Sequence, residues 1–377
     1  MSITRPNPDL VIGRNDREQW NTAEVRRANF HRLHAVARYG LSLRSADLLV
    51  LERNIDRRIG DLEAVRKLTG TTYFSGMVVL RNATLVYENY AGDFKPHDAH
   101  TCMSISKTFM NLIVGRLVEE GRLRLNSEVR EYIPHIGSGY GQATVQDVLD
   151  MNIMNDYSED YSDPYTTALL HEVAMGWRLP SNGEKELTNR DFLCSIKSEN
   201  LANPSGEPQY KSANTDVLGW VVEKASGKDL RSFFVDIINA AGLEHTFYLS
   251  TDHVGVPNLN GGVCMSARDL ARYGLIFVRG GKGIHDEQIG SHAFIDDARE
   301  CNGPAYANSL QRIHYCNQLQ TNGTWIGHGG WGGQFLMVAP DNGTVVVFFS
   351  VLENEDASDA DYQAEVIAMA QEITELS

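Results

Sequence analysis

Apolar and polar residues alternate in a strand-like pattern near both ends of the chain. Residues 73–92 form two β-rich runs on either side of Asn82, which predicts a hairpin. Residues 334–352 form two more apolar runs joined through Asn342 and Gly343, a sequence that strongly favours a tight hairpin turn. We therefore expect an antiparallel sheet whose strands come from both ends of the chain.

Apolar residues instead recur with helical spacing through the middle of the chain. Residues 101–123 show this spacing clearly, with Ile113 and Leu117 on one predicted face. Further helices are expected at residues 23–38, 61–68, 145–151, 214–227, 265–279 and 359–375. Together these patterns predict an α+β fold: an antiparallel sheet flanked by helices, with a mainly helical region inserted between its two halves.

This order of elements divides the chain into three parts that form one catalytic unit. Residues 1–70 are expected to be an N-terminal helical extension that packs on the catalytic domain. Residues 71–125 and 257–377 should form the α/β sheet domain, and residues 126–256 the inserted mainly helical domain. A site would then lie in the cleft between the sheet and the inserted helices.

The composition is that of an ordinary globular protein, with 42% apolar and 22% charged residues. The formal net charge of −15 repels nucleic acids and anionic membrane surfaces, so neither is an expected partner. The N-terminus lacks the apolar segment of a secretory signal, and no apolar run is long enough to predict a membrane span. The five cysteines form no CxxC pair, which favours reduced thiols and a cytoplasmic location.

Ser104 and Lys107 lie one turn apart where a loop enters the helix predicted at 101–123. Because residues i and i+3 share a helix face, the Lys107 amine can reach the Ser104 hydroxyl. A helix N-terminus favours negative charge on that oxygen, and a neutral amine can take its proton. The alternative is a capping serine and a solvated lysine, but a helix N-terminus is an unfavourable place for a cation. The pattern therefore predicts a nucleophile and its base, with the pKa of the lysine lowered by burial to roughly 7–8.

Two later stretches contain candidate partners for this pair. Tyr210 precedes a helix start in a loop rich in Gly and Pro, where its phenol could relay a proton to a leaving group. A loop tyrosine with a packed ring is the commoner case. Five glycines in residues 327–333 indicate backbone that closely approaches another segment, and the Trp331 amide is a candidate oxyanion donor. A Gly-rich β-bulge with a packed tryptophan is the alternative.

The chain resembles the serine β-lactamase and penicillin-binding protein superfamily. The resemblance begins with three features in the family's order: a Ser-x-x-Lys motif, a later tyrosine and a Gly-rich strand. The resemblance is closer to one branch, the class C β-lactamase-like carboxylesterases and 6-aminohexanoate-dimer hydrolases. It rests on the stretches MSISK (103–107), VLDMNIMNDYSEDYSDP (148–164), GWR (176–178), YKSANTDVLGWVVEKASG (210–227), NGGVCMSARDLARYG (260–274) and GGWGGQFLMVAP (329–340). It implies a β-lactamase/transpeptidase-like fold and two-step acyl transfer through an acyl-enzyme.

The resemblance also implies roles for individual residues. Ser104 matches the acylated nucleophile, Lys107 its general base, and Tyr210 the proton shuttle to the leaving group. The backbone amides of Ser104 and Trp331 match the oxyanion hole. These assignments predict an ester on Ser104 that water then hydrolyses.

Further positions match residues that line the substrate pocket of the family. Tyr161 matches a tyrosine that closes over the substrate, and Asn260 matches a residue of the pocket wall. Glu172 occupies a place where dimer hydrolases can carry a carboxylate that faces the amine of the substrate. The alternative for Glu172 is a solvated acidic loop, which we consider the simpler interpretation.

Two departures from the β-lactamase pattern bear on the substrate. The tyrosine is followed by Lys211 and Ser212, so the Tyr-x-Asn pattern is absent. The Lys-Thr-Gly motif that binds the β-lactam carboxylate is replaced by His328 and two glycines, and a neutral histidine binds carboxylates weakly. Both departures favour an ester or a linear amide as the substrate.

The sequence thus predicts a cytoplasmic serine hydrolase that acts on a small-molecule carboxylic ester or short linear amide. A β-lactamase or D-amino-acid peptidase with the same Ser-Lys-Tyr chemistry is one alternative. A catalytically inactive binding or scaffold protein is another, although a scaffold has no need of a desolvated lysine. No metal-ligand cluster appears, so we expect neither a metal nor another cofactor, and a homodimer is left open.

Overall fold

The computed structural model describes the backbone of residues 5–6 and residues 20–161, 163, 165–180, 185–307, 309 and 312–376. Much of the first part of the predicted N-terminal extension, residues 1–4 and 7–19, therefore lies outside the described residues. Within the described ranges, no helix is both long and apolar enough to cross a membrane. All five cysteines are free thiols.

The described residues form two β-sheets surrounded by helices. The strands are β1 (Arg5–Pro6), β2 (Tyr39–Leu43), β3 (Glu52–Arg53), β4 (Phe74–Arg81), β5 (Thr84–Tyr90), β6 (His100–Thr101), β7 (Phe247–Ser250), β8 (Val263–Met265), β9 (His314–Cys316), β10 (Leu319–Thr321), β11 (Ile326–Gly330), β12 (Gln334–Ala339) and β13 (Thr344–Ser350). The helices are α1 (Ala23–Phe30), α2 (Leu33–Val36), α3 (Arg57–Asp61), α4 (Glu63–Thr69), α5 (Thr108–Glu119), α6 (Val129–Tyr132), α7 (Val145–Leu149), α8 (Thr167–Ala174), α9 (Asn189–Ser195), α10 (Ser212–Ser226), α11 (Leu230–Ala241), α12 (Ala267–Val278), α13 (His292–Arg299) and α14 (Ala360–Glu375). Short 3-10 helices lie at Met103–Lys107 and Pro340–Asn342.

The larger sheet has the strand order β3-β5-β4-β13-β12-β11-β10-β9. Its neighbouring strands are antiparallel, except that β3 pairs with β5 in parallel. At its centre β4 pairs with β13, so an early and a late part of the chain meet there. This arrangement confirms the predicted α+β fold with a sheet built from both ends of the chain.

The turns of the two predicted hairpins, β4–β5 and β12–β13, contact each other. The Asn82 N–H donates a 2.7 Å hydrogen bond to the Gly343 carbonyl oxygen, and both residues have a positive φ. A Cβ on Gly343 would lie 2.4 Å from Asn82 Oδ1, so this turn requires glycine for space as well as for conformation. The contact holds the ends of β4 and β13 in register.

The smaller sheet, ordered β1-β2-β7-β8-β6, joins segments that are distant in sequence. β2 pairs with β7, and Thr101 in β6 lies opposite Cys264 in β8. The sequence predicted a single helix at residues 23–38, whereas the structure has α1 and α2 there and turns into β2 at Tyr39. Part of the predicted N-terminal extension therefore pairs with the inserted region, and the proposed division into domains stays a prediction.

Helices cover both faces of the larger sheet. α12 packs against β4, β12 and β13, and its buried face belongs to the same core as α5, α10 and α11. α4 and α14 contribute Val65, Leu68, Val366 and Ile373 to a second core on the other face. β11 lies against the 3-10 turn at Met103–Lys107, so the sheet meets the beginning of α5 at this point.

Among the described glycines, Gly327 in β11 leaves the least room for a side chain, because a Cβ there would lie 1.9 Å from the Leu336 carbonyl oxygen. We predict that Gly327→Ala lowers the free energy of unfolding by about 2–3 kcal/mol, since the paired strands would have to separate. Gly92→Ala is the matched control, because no neighbouring atom lies within 4 Å of a Cβ at Gly92. Urea unfolding followed by circular dichroism measures both variants, and equal stabilities would contradict the prediction.

Candidate active site

Strand β6 leads directly into the 3-10 turn that carries Ser104. The Cys102 N–H donates a 2.8 Å hydrogen bond to the Val263 carbonyl, which ties the beginning of the turn to the smaller sheet. Met103 then adopts a φ of 44°, a left-handed conformation that is uncommon for a residue with a side chain. Strained backbone of this kind concentrates at functional sites, and here it immediately precedes the predicted nucleophile.

A cavity of about 910 Å³ opens in front of Ser104. The structure brings all eight predicted site residues to this place, seven in the cavity wall and Lys107 behind Ser104. The seven are Ser104, Tyr161, Glu172, Tyr210, Asn260, His328 and Trp331. Within the described ranges, no group of three or more His, Cys, Asp or Glu residues is placed to bind a metal ion.

The Lys107 amine is completely buried and has three hydrogen-bond partners. Its Nζ lies 2.9 Å from Ser104 Oγ, 3.1 Å from Ser212 Oγ and 2.6 Å from the Asn260 carbonyl oxygen. A neutral amine has two N–H groups and one lone pair, and the carbonyl can only accept. The lone pair is therefore free to accept the proton of the Ser104 hydroxyl, which is the geometry of a nucleophile and its base.

Burial decides the protonation of this amine. Desolvation lowers the pKa of Lys107 to about 8, although the negative charges of Glu159 and Asp216 act in the opposite direction. Asp216 is itself buried and accepts hydrogen bonds from the Leu259 N–H and the Asn260 side chain. A substantial fraction of Lys107 is therefore neutral at mildly alkaline pH.

Tyr210 lines the same cavity as Ser104. Its ring centroid lies 5.1 Å from Lys107 Nζ. Burial raises the pKa of Tyr210 well above its usual value, so the phenol keeps its proton at neutral pH. A protonated phenol can donate a proton, whereas a phenolate can only accept one.

The backbone of β11 approaches the Ser104 turn closely, as the run of glycines predicted. A Cβ on Gly330 would lie 2.7 Å from the Cys102 carbonyl oxygen. Within the described chain neither the Ser104 amide nor the Trp331 amide donates a backbone hydrogen bond. Two uncommitted N–H groups near one hydroxyl can stabilise an oxyanion.

His328 is neutral and is held at both ring nitrogens. Burial, followed by the charge of Lys107, lowers the pKa of His328 to about 3. Its Nδ1 lies 2.6 Å from the Gly329 carbonyl oxygen, so Nδ1 carries the proton, and Nε2 accepts from the Tyr315 hydroxyl at 3.1 Å. His328 therefore offers no positive charge to a substrate carboxylate.

The remaining predicted residues differ in what they present to the cavity. Asn260 contributes its carbonyl to Lys107, while its side chain donates to Asp216 at 2.6 Å. Tyr161 is partly exposed and stacks on Trp331, with 5.7 Å between ring centroids. Glu172 lines the cavity, but its carboxylate accepts hydrogen bonds from Arg178 at 2.5 Å and from the Trp20 indole at 3.4 Å.

The predicted set missed several residues of the site, among them Ser212, Glu159 and Trp20. Ser212 contacts Lys107 and stands two residues after Tyr210, where the family pattern has asparagine, so its spacing was the available signal. Glu159 was visible only as one member of an acidic loop. Trp20 lines the cavity from the N-terminal segment, and nothing in the local sequence indicates this long-range contact.

Comparison with protein-family models matches residues 63–369 to the family described as Beta-lactamase. The match includes Ser104, Lys107 and Tyr210 and covers most of the chain. This chain belongs to the Beta-lactamase family.

Individual relatives agree with this membership. The 6-aminohexanoate-dimer hydrolase of Paenarthrobacter ureafaciens is 34% identical over 282 residues, which are 73% of this chain and 70% of that protein. A Bacillus anthracis structure provisionally named as a 6-aminohexanoate-dimer hydrolase superposes with a TM-score of 0.81 at 21% identity, over 99% of this chain and 98% of that one. EstCE1, a hydrolase with promiscuous acyltransferase activity, has a TM-score of 0.61 at 17% identity, over 83% and 97%. The two structures show the shared fold, and the family and the first relative show a hydrolase of the β-lactamase and penicillin-binding protein superfamily.

We predict that the reaction of Ser104 with an uncharged electrophile speeds up with rising pH and levels off above about pH 8, because only neutral Lys107 can accept the hydroxyl proton. Fluorophosphonate labelling of Ser104, followed by mass spectrometry across the neutral to alkaline range, measures this rate. Lys107→Arg keeps the charge but cannot deprotonate, so it should react slowly at every pH. A wild-type rate that does not change with pH would contradict the role of Lys107.

Replacing Tyr210 by Phe removes a phenol hydroxyl from the cavity that Ser104 also lines but keeps the ring. We expect kcat/KM for an ester to fall by a factor of roughly 10²–10⁴, the usual effect of losing an acid–base group. Tyr306→Phe is the matched control, because Tyr306 is a partly buried phenol in the wall of the same cavity. Similar losses in both variants would show that Tyr210 has no special role.

Proposed function

We propose that this protein is a serine hydrolase that cleaves a carboxylic ester or a short linear amide through an acyl-enzyme on Ser104. One observation carries the proposal: the Lys107 amine lies 2.9 Å from the Ser104 hydroxyl and has no access to water. Desolvation makes such a lysine a base rather than a surface cation. Membership of a hydrolase family supports the same conclusion.

Acylation begins when the Ser104 oxygen attacks the substrate carbonyl carbon and its proton passes to Lys107. The carbonyl oxygen becomes an anion, which the amides of Ser104 and Trp331 stabilise. The intermediate then collapses, the bond to the leaving group breaks, and that group takes a proton from Tyr210. Lys107 returns its proton to Tyr210, so acylation ends with an ester on Ser104 and both groups in their initial state.

Deacylation repeats these steps with water as the nucleophile. Water attacks the carbonyl carbon of the ester and gives its proton to the base formed by Lys107 and Tyr210. The bond to the Ser104 oxygen breaks, and that oxygen recovers a proton from the same pair. The products are a carboxylic acid and an alcohol or amine.

The charges of the cavity support esters and linear amides over β-lactams. The described residues of its wall include no lysine or arginine, and His328 is neutral. A β-lactam carboxylate would therefore find no positive partner at the position where β-lactamases carry a lysine. The named substrate of the Paenarthrobacter relative is itself a linear amide, which supports the same substrate class.

We also infer a cytoplasmic location. All five cysteines are free thiols, and free thiols persist in a reducing compartment. Separating cytoplasmic from membrane and exported fractions of the native host would test this inference.

Ser104→Ala should retain the fold and lose all turnover, since it removes the only atom that forms the acyl-enzyme. Circular dichroism checks the fold, and a panel of p-nitrophenyl esters, 6-aminohexanoate dimer and nitrocefin checks activity. The wild-type protein should hydrolyse esters or the dimer, with a fluorophosphonate adduct confined to Ser104. Hydrolysis of nitrocefin alone would favour a β-lactamase, and an unlabelled protein would favour an inactive scaffold.

A further inference from the structure

Asp216 is a buried carboxylate that is not among the described residues of the cavity wall. It belongs to α10, four residues after Ser212, so the two side chains share a helix face. Ser212 contacts the Lys107 amine directly at 3.1 Å. α10 therefore carries both a hydroxyl that touches this amine and a negative charge one turn further along the helix.

N–H groups from two other segments hold the Asp216 carboxylate. Its Oδ1 accepts from the Leu259 N–H at 2.8 Å. Its Oδ2 accepts from the side chains of Asn260 at 2.6 Å and Asn189 at 2.9 Å. Among the described residues, no lysine or arginine forms an ion pair with Asp216. The donors therefore stabilise the negative charge without cancelling it.

His171 is the titratable side chain in contact with Asp216. Its Nε2 lies 3.1 Å from Asp216 Oδ2 and 3.0 Å from Asn189 Oδ1, and its Nδ1 lies 3.1 Å from the Tyr157 hydroxyl. Because both oxygens near Nε2 can only accept, Nε2 carries the ring proton and Nδ1 accepts from the phenol. The neutral ring satisfies these contacts and leaves the charge of Asp216 uncompensated.

Asn260 connects this carboxylate to Lys107. Its side chain donates to Asp216, and its main-chain carbonyl oxygen lies 2.6 Å from Lys107 Nζ, the shortest of the three contacts of that amine. The preceding residue, Leu259, donates its N–H to the same carboxylate. Two hydrogen bonds to one carboxylate thus fix the segment that presents a carbonyl oxygen to the amine.

We propose that Asp216 is a positioning residue for the general base: through Asn260 it directs a carbonyl oxygen at Lys107 and stabilises the ammonium that this base becomes during acylation. The proposal rests on the proposed function and adds a residue to that site. As the Ser104 oxygen bonds to the substrate carbonyl carbon, its proton moves to Lys107 and goes no further, so Asp216 stays a carboxylate. The new positive charge then faces a fixed carbonyl dipole and a fixed negative charge.

This role has a consequence for the pH dependence of the site. Burial lowers the pKa of Lys107, and the charges of Glu159 and Asp216 act in the opposite direction. Tyr210 and His328 also face the amine, but both are uncharged because burial raises the pKa of the phenol and lowers that of the imidazole. Removing the charge of Asp216 should therefore lower the pKa of Lys107, which makes the amine neutral at lower pH and a weaker base.

Asp216→Asn tests this role by removing the charge at nearly constant volume. The rate at which a fluorophosphonate labels Ser104 should fall roughly 10- to 100-fold on its alkaline plateau, the range expected for the loss of hydrogen bonds to a charged group. The midpoint of the rise with pH should move to lower pH. With a p-nitrophenyl ester, kcat should fall while KM changes little, because Asp216 is not among the described residues of the cavity wall.

Asp252→Asn is the matched control. Asp252 is also a buried carboxylate held by N–H groups, and it accepts from the backbone of Asn189 at 3.0 Å and of Val256 at 2.8 Å. Within the described chain no hydrogen bond joins its side chain to Asn260 or Lys107. The plateau and the midpoint should both keep their wild-type values.

Asn260→Ala tests the connection separately. It removes the side chain that donates to Asp216 but keeps the main-chain carbonyl and the charge of the carboxylate. The plateau should fall, because the carbonyl loses its fixed direction, whereas the midpoint should stay almost unchanged. This variant decides the positioning role if circular dichroism shows that Asp216→Asn does not fold.

The outcomes separate this proposal from the proposed function. A wild-type plateau in folded Asp216→Asn or in Asn260→Ala would overturn the positioning role and leave the serine hydrolase intact. A lower plateau with an unmoved midpoint in Asp216→Asn would indicate a structural effect alone and overturn the stabilisation of the ammonium. A wild-type protein that is not labelled at Ser104 would overturn the proposed function itself.

Discussion

A lysine amine that has no access to water must find all of its partners inside the protein, and the site is arranged around that requirement. The hydroxyls of Ser104 and Ser212 and the carbonyl of Asn260 surround Lys107, and they come from three separate segments. A neutral amine satisfies this set without a counter-ion, whereas the protonated form relies on the more distant carboxylates. The packing that brings the segments together therefore also sets the basicity of the amine.

The sequence predicted the parts of the site whose geometry is local. Ser104 and Lys107 share one helical turn, so their contact follows from spacing. The relation of Tyr210 to Ser104 depends on tertiary structure: its loop position made Tyr210 a candidate proton relay, and the resemblance to a known family favoured that role over a packed loop tyrosine. Ser212 could be recognised as a residue at a helix start, but the direction of its hydroxyl depends on the position of Lys107. No local signal indicates that Trp20 reaches the cavity.

The fold shows the same division between local and long-range information. β4, β5, β12 and β13 have six to eight residues each, enough for a pattern of side chains to be visible, and all four were predicted. β1, β3 and β6 have two residues each, and pairing with distant partners creates them. The smaller sheet, which depends on such strands, was therefore not foreseen, and the helix predicted at 23–38 gives way to β2 because pairing with β7 stabilises the extended chain.

The order in which the chain contributes to the site has a consequence for protein synthesis. The proposed nucleophile and base, Ser104 and Lys107, belong to the first third of the chain, whereas β11 and the Trp331 amide follow more than two hundred residues later. A ribosome produces the chain from its N-terminus, so the emerging polypeptide exposes Ser104 before the Trp331 amide, its proposed second oxyanion donor, has been made. Catalytic competence is therefore among the last properties that the nascent protein acquires.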